Sequence, residues 1–138
     1  MPENQTSADL EKMLAWLSTY PHWADFLPVE YAGLLPRGLE ETSRREDVLG
    51  NSLVGCRYQF SLSWKMEGQG IDTENAGRLL DFQHWVRGQS ASGLAPKFGD
   101  VPARERIRAE KGGITAGAQI ATYTVMLIAD FMKVYEVN

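Results

Sequence analysis

The most regular feature of the chain is an alternation of apolar and polar side chains between residues 53 and 66. One set is large and apolar: Tyr58, Phe60, Leu62, Trp64 and Met66. The intervening set is polar: Arg57, Gln59, Ser61, Ser63 and Lys65. A period of two residues predicts a strand with one buried face and one wet face. The polar segment 39–48 is either a loop or a solvent-facing strand. The turn residues 50–52 follow it, so the two segments are predicted to form a hairpin.

The last long segment, 120–129, is also strand-like, but it is apolar on both of its faces. One face carries Tyr123, Val125, Leu127, Ala129 and Phe131. The other face carries Ile120, Thr122, Thr124, Met126 and Ile128. Such a strand is either central in a covered sheet or buried by another subunit. A small domain has little material with which to cover both faces, so this segment favours a protein that works as an assembly.

Two amphipathic helices are predicted from apolar residues that recur every three or four positions. A cap at Thr6 or Ser7 begins the first helix, and Pro21 ends it. Its apolar stripe is Leu10, Met13, Leu14 and Leu17, widened by Trp16 and Tyr20. A cap at Asp72 or Thr73 begins the second helix. Its predicted core stripe is Ala76, Leu79, Leu80, Phe82 and Val86, bordered by Trp85.

Shorter segments complete the order of elements. Residues 26–32 are read as a short edge strand, because Pro28 lacks the N–H that a central strand needs. Residues 104–110 are read as a short charged strand, and the pair Gly112-Gly113 breaks the chain before the last strand. This order predicts an α+β fold. It is a two-layer domain with a mixed or mostly antiparallel β-sheet and two main amphipathic helices packed on one face.

Composition limits the class of protein. The chain of 138 residues is 43% apolar, which suits one domain over residues 1–138 with a real core, and residues 1–6 are expected to be flexible. The net charge of −4 disfavours a general nucleic-acid binder. The lone Cys56 excludes an internal disulfide. The chain has neither a signal peptide nor a membrane-length apolar run, so we expect no membrane and a reducing, cytoplasm-like compartment.

Residues with catalytic chemistry are sparse. His22 and His84 have no second ligand at metal spacing, and Ser61 and Ser63 lie on the wet face of a strand instead of in a strained turn. We therefore predict no enzyme: no catalytic residues, no cofactor and no metal. The alternative from a different class is a small ligand-binding or enzymatic domain with Cys56, His84 and Trp85 in one pocket.

Two charged segments mix both signs. Their charges are either a solvated face or a polar subunit interface in which opposite charges set partner and register. The candidate residues for a subunit or tube interface are Arg44, Arg45, Glu46, Asp47, Arg106, Arg108 and Lys111.

Four tracts, in order over Leu10–Glu136, carry a family resemblance. They are the N-terminal amphipathic helix; Ser43-Arg44-Arg45 with Gly50-Asn51-Ser52 and Arg57-Tyr58-Gln59-Phe60; the helix 75–86 with the loop 93–100; and Arg106-Ile107-Arg108 with a terminal strand ending in Tyr135-Glu136. Together they resemble the tail-terminator, or minor capsid, family of head–tail joining proteins from long-tailed phages and prophages.

The resemblance implies a structural virion protein. Such proteins form a ring, typically a homo-hexamer, on the head-proximal end of the tail tube, where they stop tube polymerisation and join the head. The implied partners are other copies of the chain, the tail-tube protein and a head-completion or connector protein. DNA passes through the lumen without specific binding, and Glu40 and Glu41, with Glu46 and Asp47, are candidates for an acidic lumen wall. The protein would lie in the virion tail, and in the host cytoplasm during assembly. Another neck or tail-tube ring protein is the nearest alternative.

Overall fold

The fold is seen in a computed structural model that describes residues 5–23, 33–67, 73–115 and 120–137. Within these ranges the elements are α1 (Gln5–Leu17), β1 (Leu34–Glu46), β2 (Ser52–Glu67), α2 (Thr73–Ala91), a short 3-10 turn (Pro102–Arg104), β3 (Arg106–Thr115) and β4 (Ile120–Tyr135). The predicted α+β fold is confirmed. The edge strand predicted at 26–32 lies outside the described residues. Residues 1–6 were expected to be flexible. Of these, residues 1–4 also lie outside the described residues, whereas Gln5 and Thr6 belong to α1.

The strands form one antiparallel sheet in the order β1-β2-β4-β3. The hairpin β1–β2 and the hairpin β3–β4 are joined because β2 pairs with β4 along its whole length, from Ser52 opposite Tyr135 to Glu67 opposite Ile120. The polar segment before the first turn is therefore a strand. The last strand is central in the described sheet, which is one of the two positions that its apolar character predicted.

The core lies between the helices and one face of the sheet. The residues that fill it alternate along β2 and β4 as the period of two requires, and they meet a stripe from each helix. The sheet supplies Val54, Phe60, Leu62, Trp64, Tyr123, Val125, Leu127 and Phe131, and the helices supply Met13, Trp16, Leu17, Phe82 and Val86. Each of these large apolar side chains contributes roughly 1.5–3 kcal/mol when it is fully buried. Both helices therefore cover the same face of the sheet.

Aromatic contacts hold the two helices against each other. The rings of Trp16 and Trp85 stack with centroids 5.0 Å apart, and the ring of Tyr20 meets Phe82 edge-on at 5.2 Å. The indole N–H of Trp16 donates to the side-chain oxygen of Gln89 over 3.1 Å. The polar tip of Trp16 is thus satisfied at the edge of the core, as a buried tryptophan requires.

The Glu105 carboxylate and a backbone hydrogen bond of Asp100 hold the loop 95–105 across the end of β4. The Glu105 side chain, only 7% exposed, accepts the backbone N–H groups of Phe98 (2.5 Å) and Gly99 (3.1 Å). The N–H of Asp100 donates to the Met132 carbonyl over 2.7 Å. A Cβ on Gly99 would lie 2.3 Å from that carbonyl oxygen, so a larger residue forces the loop to shift. This loop covers the part of β4 that extends beyond β3.

Two predictions about local structure were wrong. Leu80 was placed in the core, but its side chain is 59% exposed, and Leu79 is the one that packs against the core. Gly112-Gly113 was read as a break, but both residues lie inside β3, where the pairing with β4 is irregular between Glu110 and Gly113. A Cβ on Gly112 would lie 3.0 Å from the Leu79 side chain, so the glycine lets α2 pack closely.

Candidate functional site

The face of the sheet away from the helices, which we call the outer face, carries polar and charged side chains. Its members follow from the strand registers: Glu40, Arg57, Gln59, Ser61, Ser63, Arg106, Arg108, Glu110, Thr124, Met126, Ile128, Asp130 and Met132. Neither of the described helices packs on it. Ser61 and Ile128 are buried at its centre, whereas Thr124 is exposed. The last strand is therefore unevenly buried on this side, from the buried Ile128 to the exposed Thr124.

A row of alternating charges crosses the outer face. Arg57 contacts Asp130 at 2.7 Å and Glu40 at 3.4 Å, while Arg108 contacts Asp130 at 3.0 Å and Glu110 at 3.0 Å. The Asp130 carboxylate, through its hydrogen bond and its charge, raises the pKa of Arg57. Surface pairs of this kind add little stability individually, but a fixed row of alternating sign favours one register over others when another surface docks on it.

The turn between β1 and β2 is rigid because Asp47 holds it. The Asp47 carboxylate accepts the N–H groups of Leu49 (2.9 Å) and Asn51 (3.0 Å) and the side-chain amide of Asn51 (3.1 Å). Gly50 takes the left-handed conformation, with φ of 87°, that the turn requires. Burial alone would raise the pKa of Asp47, but the hydrogen bonds from Asn51, Leu49 and Gly50 outweigh burial and lower it.

We expect the turn to weaken in acid for this reason. Because the pKa of Asp47 is lowered by folding, its ionised form stabilises the fold above its usual pKa of about 3.9, and this stabilisation is lost as the pH falls through the folded value. The free energy of unfolding of Asp47→Asn should therefore lie below wild type at pH 7 and approach it at low pH. Glu11→Gln, an exposed change on α1, is the control. If the difference in free energy of unfolding between wild type and Asp47→Asn did not change with pH, the charge of Asp47 would not be what stabilises the turn.

An exposed apolar patch surrounds this turn, and we call it the tip patch: Glu46, Asp47, Val48, Leu49, Tyr135, Glu136 and Val137. Val48 is fully exposed and Leu49 is 78% exposed, although turns normally carry small polar residues. Tyr135 and Val137 lie beside them, since Tyr135 is paired with Ser52 and the Val137 N–H donates to the Asn51 side chain. The patch therefore combines exposed apolar side chains with carboxylates.

A groove lined by arginines lies between α2 and β3, and we call it the arginine groove. It consists of two adjoining depressions of about 560 and 440 Å³ that share Arg87 and Arg108. The remaining lining residues that matter here are Leu80, His84, Ala91, Ala103, Arg106, Ile107 and Ala109. Arg87 and Arg106 are exposed, and neither is in an ion pair with any part of the chain that the structure describes. The groove therefore presents two cations, Arg87 and Arg106, that are unpaired among the described residues, beside Arg108, which is paired with Glu110 and Asp130. Its lining also includes small and apolar side chains and the buried Glu105, whose carboxylate is bonded to the loop 95–105.

Side chains of α2 occupy backbone groups on the free edge of β3. The Ile107 N–H donates to the Ser90 hydroxyl over 3.0 Å, and the Ala109 carbonyl accepts the Gln83 amide over 3.4 Å. These contacts block the pairing of another strand at this point, a common protection of sheet edges. A partner that binds here must therefore insert side chains.

The predicted interface residues are not all in one place. Arg44 pairs with Glu41 at 2.6 Å on the helix side of β1, while Glu40 and Arg45 lie on the other side. The four acidic residues proposed for a lumen wall, Glu40, Glu41, Glu46 and Asp47, therefore do not form one acidic face. Arg106 and Arg108 line the arginine groove. The side chain of Lys111 lies outside the described residues.

The residues of the alternative ligand-binding site are not brought together. Cys56 is buried among core residues of β2, where burial first and the Glu41 carboxylate second raise the pKa of its thiol. His84 lies on the exposed side of α2, and Trp85 stacks on Trp16. A separate apolar hollow of about 290 Å³ lies between α1 and β1. At this hollow Tyr58 donates to the buried Asp9 over 2.6 Å, and burial followed by this carboxylate raises the pKa of Tyr58.

Several residues of these surfaces were missed at the sequence level. Asp130 directly follows the apolar run 120–129 and was not singled out, although a carboxylate next to such a run was a usable indication of a charged partner. Val48 and Leu49 were passed over as ends of a polar segment, and Arg87 had no distinguishing pattern on its helix.

No match was found when the chain was compared with protein-family models, characterised proteins and solved structures. Across the described ranges, no helix is long and apolar enough to cross a membrane, and no three His, Cys, Asp or Glu side chains are grouped so that they could hold a metal ion.

Proposed function

We propose that this protein is a structural virion protein that forms a ring on the head-proximal end of a phage tail tube, ends tube polymerisation and provides the surface that joins the head. The observation that carries the proposal is the division of the sheet into two unlike faces. Both helices cover one face, and the outer face carries the row of alternating charges centred on Asp130. A terminator needs two unlike ring faces, since one must bind the tube while the other must not bind further tube subunits. A subunit with helices on one side and a charged sheet face on the other supplies two such unlike surfaces.

The order of elements and the four sequence tracts that resemble tail terminators support the same proposal. On it, the partners are copies of this chain, the tail-tube protein and a head-completion or connector protein. A ring of subunits in head-to-tail contact closes on itself and does not grow, which suits a protein that stops a polymer. DNA would pass through the closed ring without sequence-specific contacts.

The test is the growth of tail tubes from purified tail-tube protein of the same phage or prophage, observed by electron microscopy with and without this protein. Wild type should shorten the tubes and leave extra density at one end. Thr124→Lys adds a charge at an exposed position of the outer face and should lose this effect. Ala15→Lys, exposed on α1, is the matched control and should retain it.

Continued tube growth at every ratio of wild-type protein to tube protein would overturn the terminator assignment. Tubes formed by this protein alone would favour the alternative, a tail-tube subunit, because a terminator stops after one ring.

A further inference from the structure

The tip patch and the arginine groove are complementary in both charge and polarity. The tip patch exposes Val48 and Leu49 beside the carboxylates of Glu46 and Glu136. The arginine groove exposes the guanidinium groups of Arg87 and Arg106 over an apolar floor. Opposite charges around an apolar centre are the usual arrangement of a specific protein contact.

The two surfaces share no residue, although Glu136 of the tip patch follows β4, the neighbour of β3. The turn that carries the tip joins β1 to β2 at one edge, and the groove follows β3 at the other edge. A contact between two different surfaces of identical chains is head-to-tail, and it produces a closed ring or an open filament.

The cations of the hairpin do not oppose such a contact. Arg44 is neutralised by Glu41 at 2.6 Å. Arg45 pairs with Leu53 in the register, so its side chain leaves β1 on the face opposite to Glu46, which pairs with Ser52. The carboxylates of the tip can therefore approach the groove with Arg45 turned away.

The hydrogen bonds of the tip patch lower the entropic cost of docking. Hydrogen bonds to the Asp47 carboxylate already hold the backbone of the turn that presents Val48 and Leu49, so little backbone entropy is lost when the turn binds a partner. The groove accepts side chains instead of a strand, because Ser90 and Gln83 occupy backbone groups of β3.

We propose that the tip patch of one copy docks in the arginine groove of the next copy, with Val48 and Leu49 on its apolar floor and Glu46 and Glu136 against Arg87 and Arg106. This contact rests on the proposed function and specifies how the ring is held together.

The experiment is a charge swap, followed by absolute mass from light scattering during size-exclusion chromatography. The groove variant is Arg87→Glu with Arg106→Glu, and the tip variant is Glu46→Arg with Glu136→Arg. Each alone should need a concentration roughly tenfold higher or more than wild type to assemble beyond the 15.4 kDa monomer. A 1:1 mixture should restore assembly, because every contact in an alternating ring then joins opposite charges.

Two further variants separate the contact from general charge effects. Val48→Ser with Leu49→Ser keeps all charges and should also weaken assembly. Arg37→Glu with Glu11→Arg changes exposed charges elsewhere and should not. Unchanged assembly of either swap variant, or a mixture that stays dissociated, overturns the contact.

The outcomes for the contact and for the proposed function are distinct. A wild-type protein that is monomeric at all concentrations but still ends tube growth would overturn this contact and leave the terminator function intact. A ring that dissociates and recovers as expected but leaves tube growth unaffected would support the contact and overturn the terminator function.

Discussion

Replacement of Phe82 with alanine is expected to lower the free energy of unfolding by about 3–5 kcal/mol. Phe82 is fully buried, and its ring contacts Tyr20 at 5.2 Å and Trp64 at 5.4 Å. It thus joins both helices to the centre of the sheet, and its removal leaves a cavity that these two rings and that of Trp85, 6.0 Å away, cannot fill. Since a domain of this size is typically stable by about 5–15 kcal/mol, much of the fold's stability depends on this one side chain.

The matched control is Leu80→Ala, two residues earlier on the same helix. Leu80 is 59% exposed, so its truncation should change the free energy of unfolding by no more than about 0.5 kcal/mol. Denaturation in urea should be followed at low protein concentration, so that assembly does not contribute to the measured stability. Equal losses for the two variants would contradict the packing of α2 described above.

Replacement of Glu105 with alanine is expected to cost about 2–5 kcal/mol, because two backbone N–H groups then lose their acceptor in a buried place. These groups belong to Phe98 and Gly99, and they bond the Glu105 carboxylate at 2.5 and 3.1 Å. Glu105→Gln keeps one acceptor oxygen and should lose about half as much. The loop 95–105 should also become easier to cleave by proteases, because it loses its anchor next to β4.

Glu110→Ala is the control for the loss of a carboxylate near β3. Glu110 is half exposed and pairs only with Arg108 among the described residues, so its removal should cost less than about 1 kcal/mol. If Glu105→Ala were no more harmful than Glu110→Ala, the loop would not depend on this anchor. Unfolding in urea measures the loss of stability of the whole domain, and limited proteolysis measures the local loosening of the loop 95–105.

The strands were predictable where one face was buried and the other was not. Along β2 the alternation was complete, so it identified both the strand and the side that faces the helices. In β4 the two apolar faces left open a central position in a covered sheet or burial by another subunit; the sheet order makes the strand central, and the described helices cover one of its faces. Both predictions follow from local periodicity, which the rest of the fold does not change.

Other features depended on neighbours that periodicity does not show. Leu79 and Leu80 are adjacent on α2, and which of them faces the sheet depends on how the helix is rotated against it. Gly112-Gly113 has the composition of a turn, but the irregular pairing in β3 and the close approach of Leu79 explain these glycines.

The sequence indicated which segments carry charge, but not which charged residues become neighbours in the fold. Arg57 and Asp130 are far apart along the chain and become neighbours only through the register of β2 with β4. Arg87 and Arg106 lie on different elements and line one groove only because α2 packs along β3. Such contacts depend on tertiary structure, so no local pattern in the sequence identifies them.

The central position of β4 also affects how the protein is made. The ribosome produces the β1–β2 hairpin and α2 early, but β2 meets its second neighbour only after β4 has emerged. Until then the nascent chain exposes the apolar face and the inner edge of β2, which are the features that make unfinished chains aggregate. The complete sheet can therefore form only after translation of β4, when the inner edge of β2 gains its second partner.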